Sequence, residues 1–250
     1  KMKLEKIIAV RTSKTVFRDG DKCIKLFDQD HSKAKILSEA ATHAKVEESG
    51  LNVPKVLEVT KAEGKWAIVY EFISGKTLDR LAGEAPERAD EYMERFVEAQ
   101  LKINAAKAHS LEKLKDRLAE SLFAADLPSA TLYELHMRLE SLPVGDRICH
   151  GDFAPSNLIV NGEDEDYIVD WSHAAQGVPA ADAARTYLLF WLAGEIDGAD
   201  RYLSLYCEKS GIAKAEIQKW IPLRAAERLA QGKAEEREFL LYWVNVVDYE

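Results

Sequence analysis

Over the first seventy positions, short apolar runs alternate with turn-forming residues, a pattern of strands. It predicts strands at 7–10, 15–18 and 23–27, and Asp19-Gly20-Asp21 between the second and third is a hairpin signal. From Ser32 to Val46 the spacing becomes helical. Ala34, Leu37, Ala41 and Ala44 fall on one face, Ser32 is placed to cap, and Gly50 lies just beyond the end. Strands resume at 56–59 and 66–72 around the turn Glu63-Gly64-Lys65, and stop at Ser74-Gly75.

Beyond Gly75 the character changes. Met93, Phe96, Val97 and Leu101 keep helical spacing, and helix-forming stretches continue to about Leu142. A β-hairpin interrupts them: Ile148-Cys149, a loop, 158–160, the turn Asn161-Gly162, then 167–169. From Ala180 onward the pattern is helical again, with Tyr187, Leu188, Trp191 and Leu192 as one buried face. No internal repeat is present. This order predicts an α+β fold of two lobes. Residues 1–73 form a small N-terminal lobe with an antiparallel sheet and one helix, and residues 74–250 a larger, mainly helical C-terminal lobe.

The 250 residues suit one large domain or two lobes, and 47% apolar with 31% charged residues is an ordinary globular composition. A net charge of −9 excludes a general nucleic-acid binder, which needs clustered Lys and Arg. Cys23, Cys149 and Cys207 are odd in number and widely spaced, so they read as reduced thiols of a cytoplasmic protein. The apolar stretch 7–10 is too short for a signal-peptide core, and no segment is long enough to span a membrane.

The chemistry concentrates in His150-Gly151-Asp152-Phe153-Ala154-Pro155-Ser156-Asn157 and in Ile168-Val169-Asp170-Trp171. Phosphoryl transfer needs an acceptor for the hydroxyl proton and oxygen ligands for a cation that bridges phosphates. Asp152, Asn157 and Asp170 supply such groups, the first two on one tight loop and the third returned by the hairpin turn. One amide, one carboxylate and nucleotide phosphates suffice for Mg²⁺, which prefers hard oxygen ligands and keeps some waters.

This pair of segments resembles the catalytic loop and metal-binding strand of the aminoglycoside phosphotransferase and choline kinase superfamily, the protein-kinase-like small-molecule kinases. Protein kinases carry H-R-D-x-x-x-x-N and D-F-G; here Gly151 replaces the Arg and Trp171 the Phe. The resemblance implies ATP and Mg²⁺ as cofactors, a small-molecule hydroxyl acceptor, Asp152 as catalytic base, and Asn157 and Asp170 as metal ligands. It further implies Lys25 on the α/β-phosphates, paired with Glu39, and the adenine held by the stretch Glu71, Phe72 and Ile73. His150 would orient the loop. Asp182, in a segment similar to the family's P-x-x-D-x-x-R (Pro179, Asp182, Arg185), would brace it. The loop 11–15 lacks the glycines of protein kinases; the small-molecule branch often carries a Ser-bearing loop there, so the resemblance implies Ser13 as a phosphate contact. Lys102, Ile103 and Asn104 stand where relatives commonly show a Leu-His pair near the catalytic loop.

Plainer readings apply to other residues. The acidic run 163–166 lacks EF-hand spacing and reads as a solvated turn. Trp191, Trp220, Tyr242 and Trp243 read as core aromatics in preference to a cage for a quaternary ammonium. Glu195, Asp197 and Asp200 read as surface acids at a helix end. The functional expectation is an ATP-dependent kinase of an aminoglycoside-, choline- or ethanolamine-, or sugar-like alcohol. The competing reading is a non-catalytic nucleotide-binding module on the same scaffold. A protein kinase is disfavoured, because the span from Asp170 to Asp182 has no room for an activation segment and no A-P-E follows.

Overall fold

The computed structural model describes residues 4, 6–11, 13–162 and 165–245. The chain runs β1 (Lys6–Arg11), β2 (Lys14–Asp19), β3 (Lys22–Phe27), α1 (Lys33–Glu47), β4 (Val56–Ala62), β5 (Lys65–Glu71), β6 (Lys76–Thr77) and α2 (Leu78–Glu84). Then follow α3 (Ala89–Ala105), α4 (Leu114–Ala124), α5 (Ser129–Ser141), β7 (Arg147–Cys149), β8 (Leu158–Asn161), β9 (Glu165–Ile168) and β10 (Ala175–Gly177). The described chain closes with α6 (Pro179–Leu192), α7 (Ile196–Ser210), α8 (Lys214–Gln218), α9 (Ile221–Ala230) and α10 (Arg237–Asn245). The fold is α+β and protein-kinase-like, with a small antiparallel-sheet N-terminal part and a larger, mainly helical C-terminal part.

The chain falls into two compact units. The first unit runs on through Pro86 and regains Pro155–Ser172, while the second comprises Glu87–Ala154 and the chain from His173 onward. The physical reason is pairing: β6 joins β8, and β8 joins β9, in a small antiparallel sheet that ties the returning segment to the first unit. The expected hairpin therefore divides. β8 and β9 form it around Gly162, but β7 pairs with β10 in the second unit. Of the acidic run 163–166, Glu165 and Asp166 belong to β9, and 163–164 lie outside the described residues.

In the first unit the antiparallel sheet has the order β1-β2-β3-β5-β4. Because successive side chains of a strand point to opposite faces, β3 and β5 each supply two cores. Ile24, Leu26, Ala67 and Val69 pack on one face with Ala62 and Phe17. Phe27, Ile68 and Tyr70 pack on the other with Ile36 and Ala40 of α1, joined by Cys23 and Trp66. The same alternation turns Lys25, between Ile24 and Leu26, toward α1.

Helix α1 buries a different stripe from the one its alanines suggest. Ile36, Ala40, His43 and Val46 are buried, whereas Ala34, Leu37, Ala41 and Ala44 are exposed. Alanine is the best helix former and is tolerated on a surface, so the larger Ile36 and Val46 decide the face. His43 joins them because its Nε2 meets the Pro54 carbonyl oxygen at 2.6 Å. Ser32 caps the helix by accepting the Lys35 N–H.

In the second unit α3 buries Phe96, Val97 and Ile103, and Phe96 stacks on Phe153 at 4.4 Å. Of the face expected on α6, Tyr187 and Leu188 are buried and Trp191 and Leu192 half-buried. Trp191 meets Tyr187, Phe239 and Trp243 edge-on or stacked, while Trp220 is buried at the start of α9 and Tyr242 is exposed. The four aromatics thus do not converge on a cage. The three cysteines are unbridged. Among the described residues no helix is long and apolar enough to cross a membrane.

Candidate active site

In the first unit, strand alternation and helix periodicity bring Lys25 and Glu39 together. Glu39 follows Ile36 by three positions on the buried stripe of α1, and its Oε1 pairs with the Lys25 ammonium. The same Nζ donates to Asp170 Oδ1 at 2.9 Å. Burial works against charge on Lys25, but Asp170 and Glu39 outweigh it and hold its pKa above the ordinary lysine value. Asp170 behaves conversely. Burial opposes its ionisation, yet Lys25 and Lys14 hold its pKa well below the usual carboxylate range.

Lys14 escapes a search by motif. It opens β2, directly after the glycine-free loop, and its Nζ lies 3.2 Å from Asp170 Oδ2. Burial and the neighbouring Lys25 lower its pKa, against the pull of Asp170. The only sequence signal was its place in the loop expected to meet phosphate. Ser13 sits in the turn between β1 and β2, where its carbonyl accepts the Asp28 N–H at 3.1 Å.

Asp170 occupies the left-handed backbone region at φ 65°, and Ser172 Oγ donates to its Oδ1 at 3.3 Å. Asn157 is buried, and its carbonyl accepts the Val169 N–H at 3.0 Å, which fixes the two segments side by side. One ionised carboxylate and one amide are hard oxygen donors of the kind magnesium takes, so the residues present fit that ion. Among the described residues no group of three or more His, Cys, Asp or Glu forms a denser metal cluster.

In the expected adenine stretch two N–H groups are already engaged. Glu71 N–H donates to Lys55 O at 2.9 Å and Phe72 N–H to Asp21 O at 2.8 Å, while Arg18 covers the Phe72 ring at 4.0 Å. Among the described residues no hydrogen bond engages Ile73. Burial pushes the Cys23 thiol up to about 11, which keeps it protonated.

In the second unit a buried hydrogen-bonded frame holds the loop that carries Asp152. Asp182 Oδ1 accepts the Gly151 N–H at 2.9 Å, and its Oδ2 accepts from Gln100 at 3.2 Å and Asn104 at 3.0 Å. Asn104 also donates to Ile148 O, Tyr206 donates to Asn104, Tyr202 to Gln100, and Thr186 to Phe153 O. Asn104 therefore ties the helix to the loop from the place where relatives commonly carry the Leu-His pair. His150 is fully buried, and its Nδ1 accepts the Asp152 N–H at 3.2 Å. Asp152 is partly exposed and lies 3.4 Å from Arg185 Nη2, with Arg228 Nη1 at 4.0 Å.

Gly151 explains the departure from the protein-kinase pattern. Its φ is +81°, and a Cβ there would stand 2.3 Å from the His173 carbonyl oxygen, so neither Arg nor Ala fits. Gly151→Ala is expected to destabilise the protein by roughly 2–4 kcal/mol through strain and the backbone clash, read as a lower midpoint in urea unfolding.

His173 gives a second expectation. Burial, with help from Arg185 and Arg117 and against Asp152 and Glu227, brings its pKa down to about 4, below the ordinary value near ~6.5. Between these values the unfolded chain binds a proton that the folded chain refuses. This contribution to stability is therefore complete above pH ~6.5 and falls by up to about 1.4 kcal/mol per pH unit as pH drops toward 4. Urea titrations across that window should show the slope, and His173→Gln should flatten it.

The fold is that of solved aminoglycoside phosphotransferases. A thermostable mutant of aminoglycoside phosphotransferase APH(4)-Ia in the apo form superposes with a TM-score of 0.66 at 15% identity, covering 95% of this chain and 89% of that one. Aminoglycoside-3'-phosphotransferase of type VIII gives 0.65 at 17% identity, covering 89% and 93%. APH(3'')-Id from Streptomyces rimosus, solved with ADP and streptomycin, gives 0.61 at 17%, covering 88% and 92%. No curated protein matches the sequence. The sequence model of the phosphotransferase enzyme family APH matches residues 6–223, and the chain belongs to that family.

Proposed function

We propose that the protein transfers the γ-phosphoryl group of ATP to a hydroxyl of a small molecule of aminoglycoside-, choline- or ethanolamine-, or sugar-like kind. The single observation that carries this reading is the set Lys25, Glu39 and Asp170, in which one buried ammonium is held between two carboxylates. A structural ion pair has no need of a second, ionised carboxylate on a left-handed residue, whereas a phosphate site does. ADP or AMP-PNP in complexes of the structural neighbours with hygromycin B supports the nucleotide half.

In this mechanism Lys25, aimed by Glu39, binds the α/β-phosphates, and Lys14 and Ser13 approach the phosphate chain from the loop before β2. Ile73 offers its N–H and C=O to the adenine edge. Asn157 and Asp170 would hold Mg²⁺, which when bound supplies neutralisation of the phosphate charge. Asp152 accepts the proton of the attacking hydroxyl; His150 fixes the backbone N–H of Asp152, and Asp182 fixes that of Gly151, so the carboxylate is presented in one geometry. Arg185 Nη2 and Arg228 Nη1 face the Asp152 carboxylate at 3.4 and 4.0 Å. The unbridged thiols favour the cytoplasm as its location.

A coupled ADP-release assay with ATP, Mg²⁺ and a panel of alcohols tests this reading. Acceptor-dependent ADP release supports it. Tight ATP binding with no release across the panel would favour a non-catalytic module.

A further inference from the structure

Four guanidinium groups gather around Asp152 in the second unit of a chain whose net charge is −9. They come from three helices: Arg117 on α4, Arg185 on α6, and Arg224 and Arg228 on α9. Their carboxylate partners are shared. Glu227 lies 2.9 Å from Arg224 Nη1 and 3.7 Å from Arg117 Nε, while Asp152 lies between Arg185 and Arg228. Glu236 pairs with Arg228 at the two-toothed edge, through Nε and Nη2, and its Oε1 also lies 3.3 Å from Lys233 Nζ. With Glu112 acting on Arg117 and Lys233 beside Glu236, four carboxylates thus answer five cations that stay charged at any ordinary pH. Donor capacity is also in surplus, for Arg185 is 1% exposed and its Nε and Nη1 have no hydrogen-bond partner among the described residues.

The geometry of Arg228 is directional. One edge of the guanidinium faces the catalytic carboxylate at 4.0 Å. The opposite edge grips a carboxylate in the parallel fork that suits carboxylate or phosphate groups. The carboxylate it grips belongs to Glu236, on a single turn, Ala234–Glu236, whose preceding residues Lys233, Ala234 and Glu235 are exposed. Glu236 itself is half-buried beside these exposed neighbours.

We propose that the acceptor is a hydroxylated anion, an alcohol that also bears a carboxylate or phosphate, and that Arg228 binds this oxyanion in the place Glu236 now fills. Glu236 is then an internal stand-in for the substrate. The surplus positive charge disfavours polycationic acceptors such as those named in the structural neighbours' complexes. This inference rests on the phosphotransferase reading and assigns the acceptor class to the same site.

Calorimetric binding without ATP tests it apart from turnover. The probes are gluconate, glucose 6-phosphate, glucose and glucosamine, one skeleton in different charge states, with glycerate, glycerol 3-phosphate and inorganic phosphate as smaller anions. The expected result is binding of at least one anionic member over the neutral and cationic ones. Arg228→Gln should weaken it about 10- to 100-fold, and Arg228→Lys less, because the charge remains. Glu236→Gln should tighten it several-fold by removing the internal competitor, which a merely structural pair would not do. Carboxylate and phosphate members distinguish the two oxyanions. Stronger binding of glucosamine, binding of no anion, or unchanged affinity in folded Arg228→Gln would overturn the proposal. Loss of phosphoryl transfer itself would appear instead in the ADP-release assay.

Discussion

Asp152→Asn is expected to lower kcat by about 10²–10⁴-fold, the usual contribution of a positioned general base, with ATP affinity unchanged. The substitution keeps the volume of the side chain and removes its charge and its ability to take a proton. Arg185 and Arg228 would still have an amide oxygen to face, and the Asp152 N–H would still donate to His150. The buried Arg185 loses its carboxylate, so stability should fall by about 1–3 kcal/mol, while the loop frame held by Asp182 stays intact. Stopped-time turnover beside nucleotide titration provides the check, and undiminished kcat would remove Asp152 from the mechanism.

Asp170→Asn is the second large effect and touches both chemistry and folding. Loss of the ionised ligand should reduce turnover by about 10²–10³-fold at least. It also leaves Lys14 and Lys25 with Glu39 as their remaining close carboxylate. Buried ammonium groups without full compensation cost stability, here about 1–3 kcal/mol after allowing for partial exposure of Asp170 and Lys14. Because the folded pKa of Asp170 lies below its ordinary value near ~3.9, its contribution is fully present above that value. It is lost as pH falls below it toward the folded pKa. Acid unfolding of the variant should lack this limb.

Much of this site was legible in the sequence because it rests on local rules. Period two along β3 turned Lys25 to the helix side, and period 3.6 along α1 carried Glu39 to meet it. The spacing of Asp152, Asn157 and Asp170 could be read as a pattern, although the exchange of β7 from one sheet to another could not. Pairing of β7 with β10 depends on three-residue strands with hardly any periodicity to detect. The face of α1 was misread because small alanines carry weak directional information. Lys14 had no role in the loop pattern, because its partner Asp170 lies 156 positions away. Apart from Arg185, which stands in the P-x-x-D-x-x-R segment, the arginine group was hidden for the same reason, since α4, α6 and α9 are far apart in sequence.

Phosphorus NMR of ATP and Mg²⁺ incubated with the protein and an accepted alcohol tests the central claim most directly. The expected spectrum gains a phosphomonoester resonance in step with the β-phosphate of ADP, and Asp152→Asn yields neither. ATP left intact with every alcohol, or ADP formed with inorganic phosphate alone, would contradict transfer of the γ-phosphoryl group to a hydroxyl.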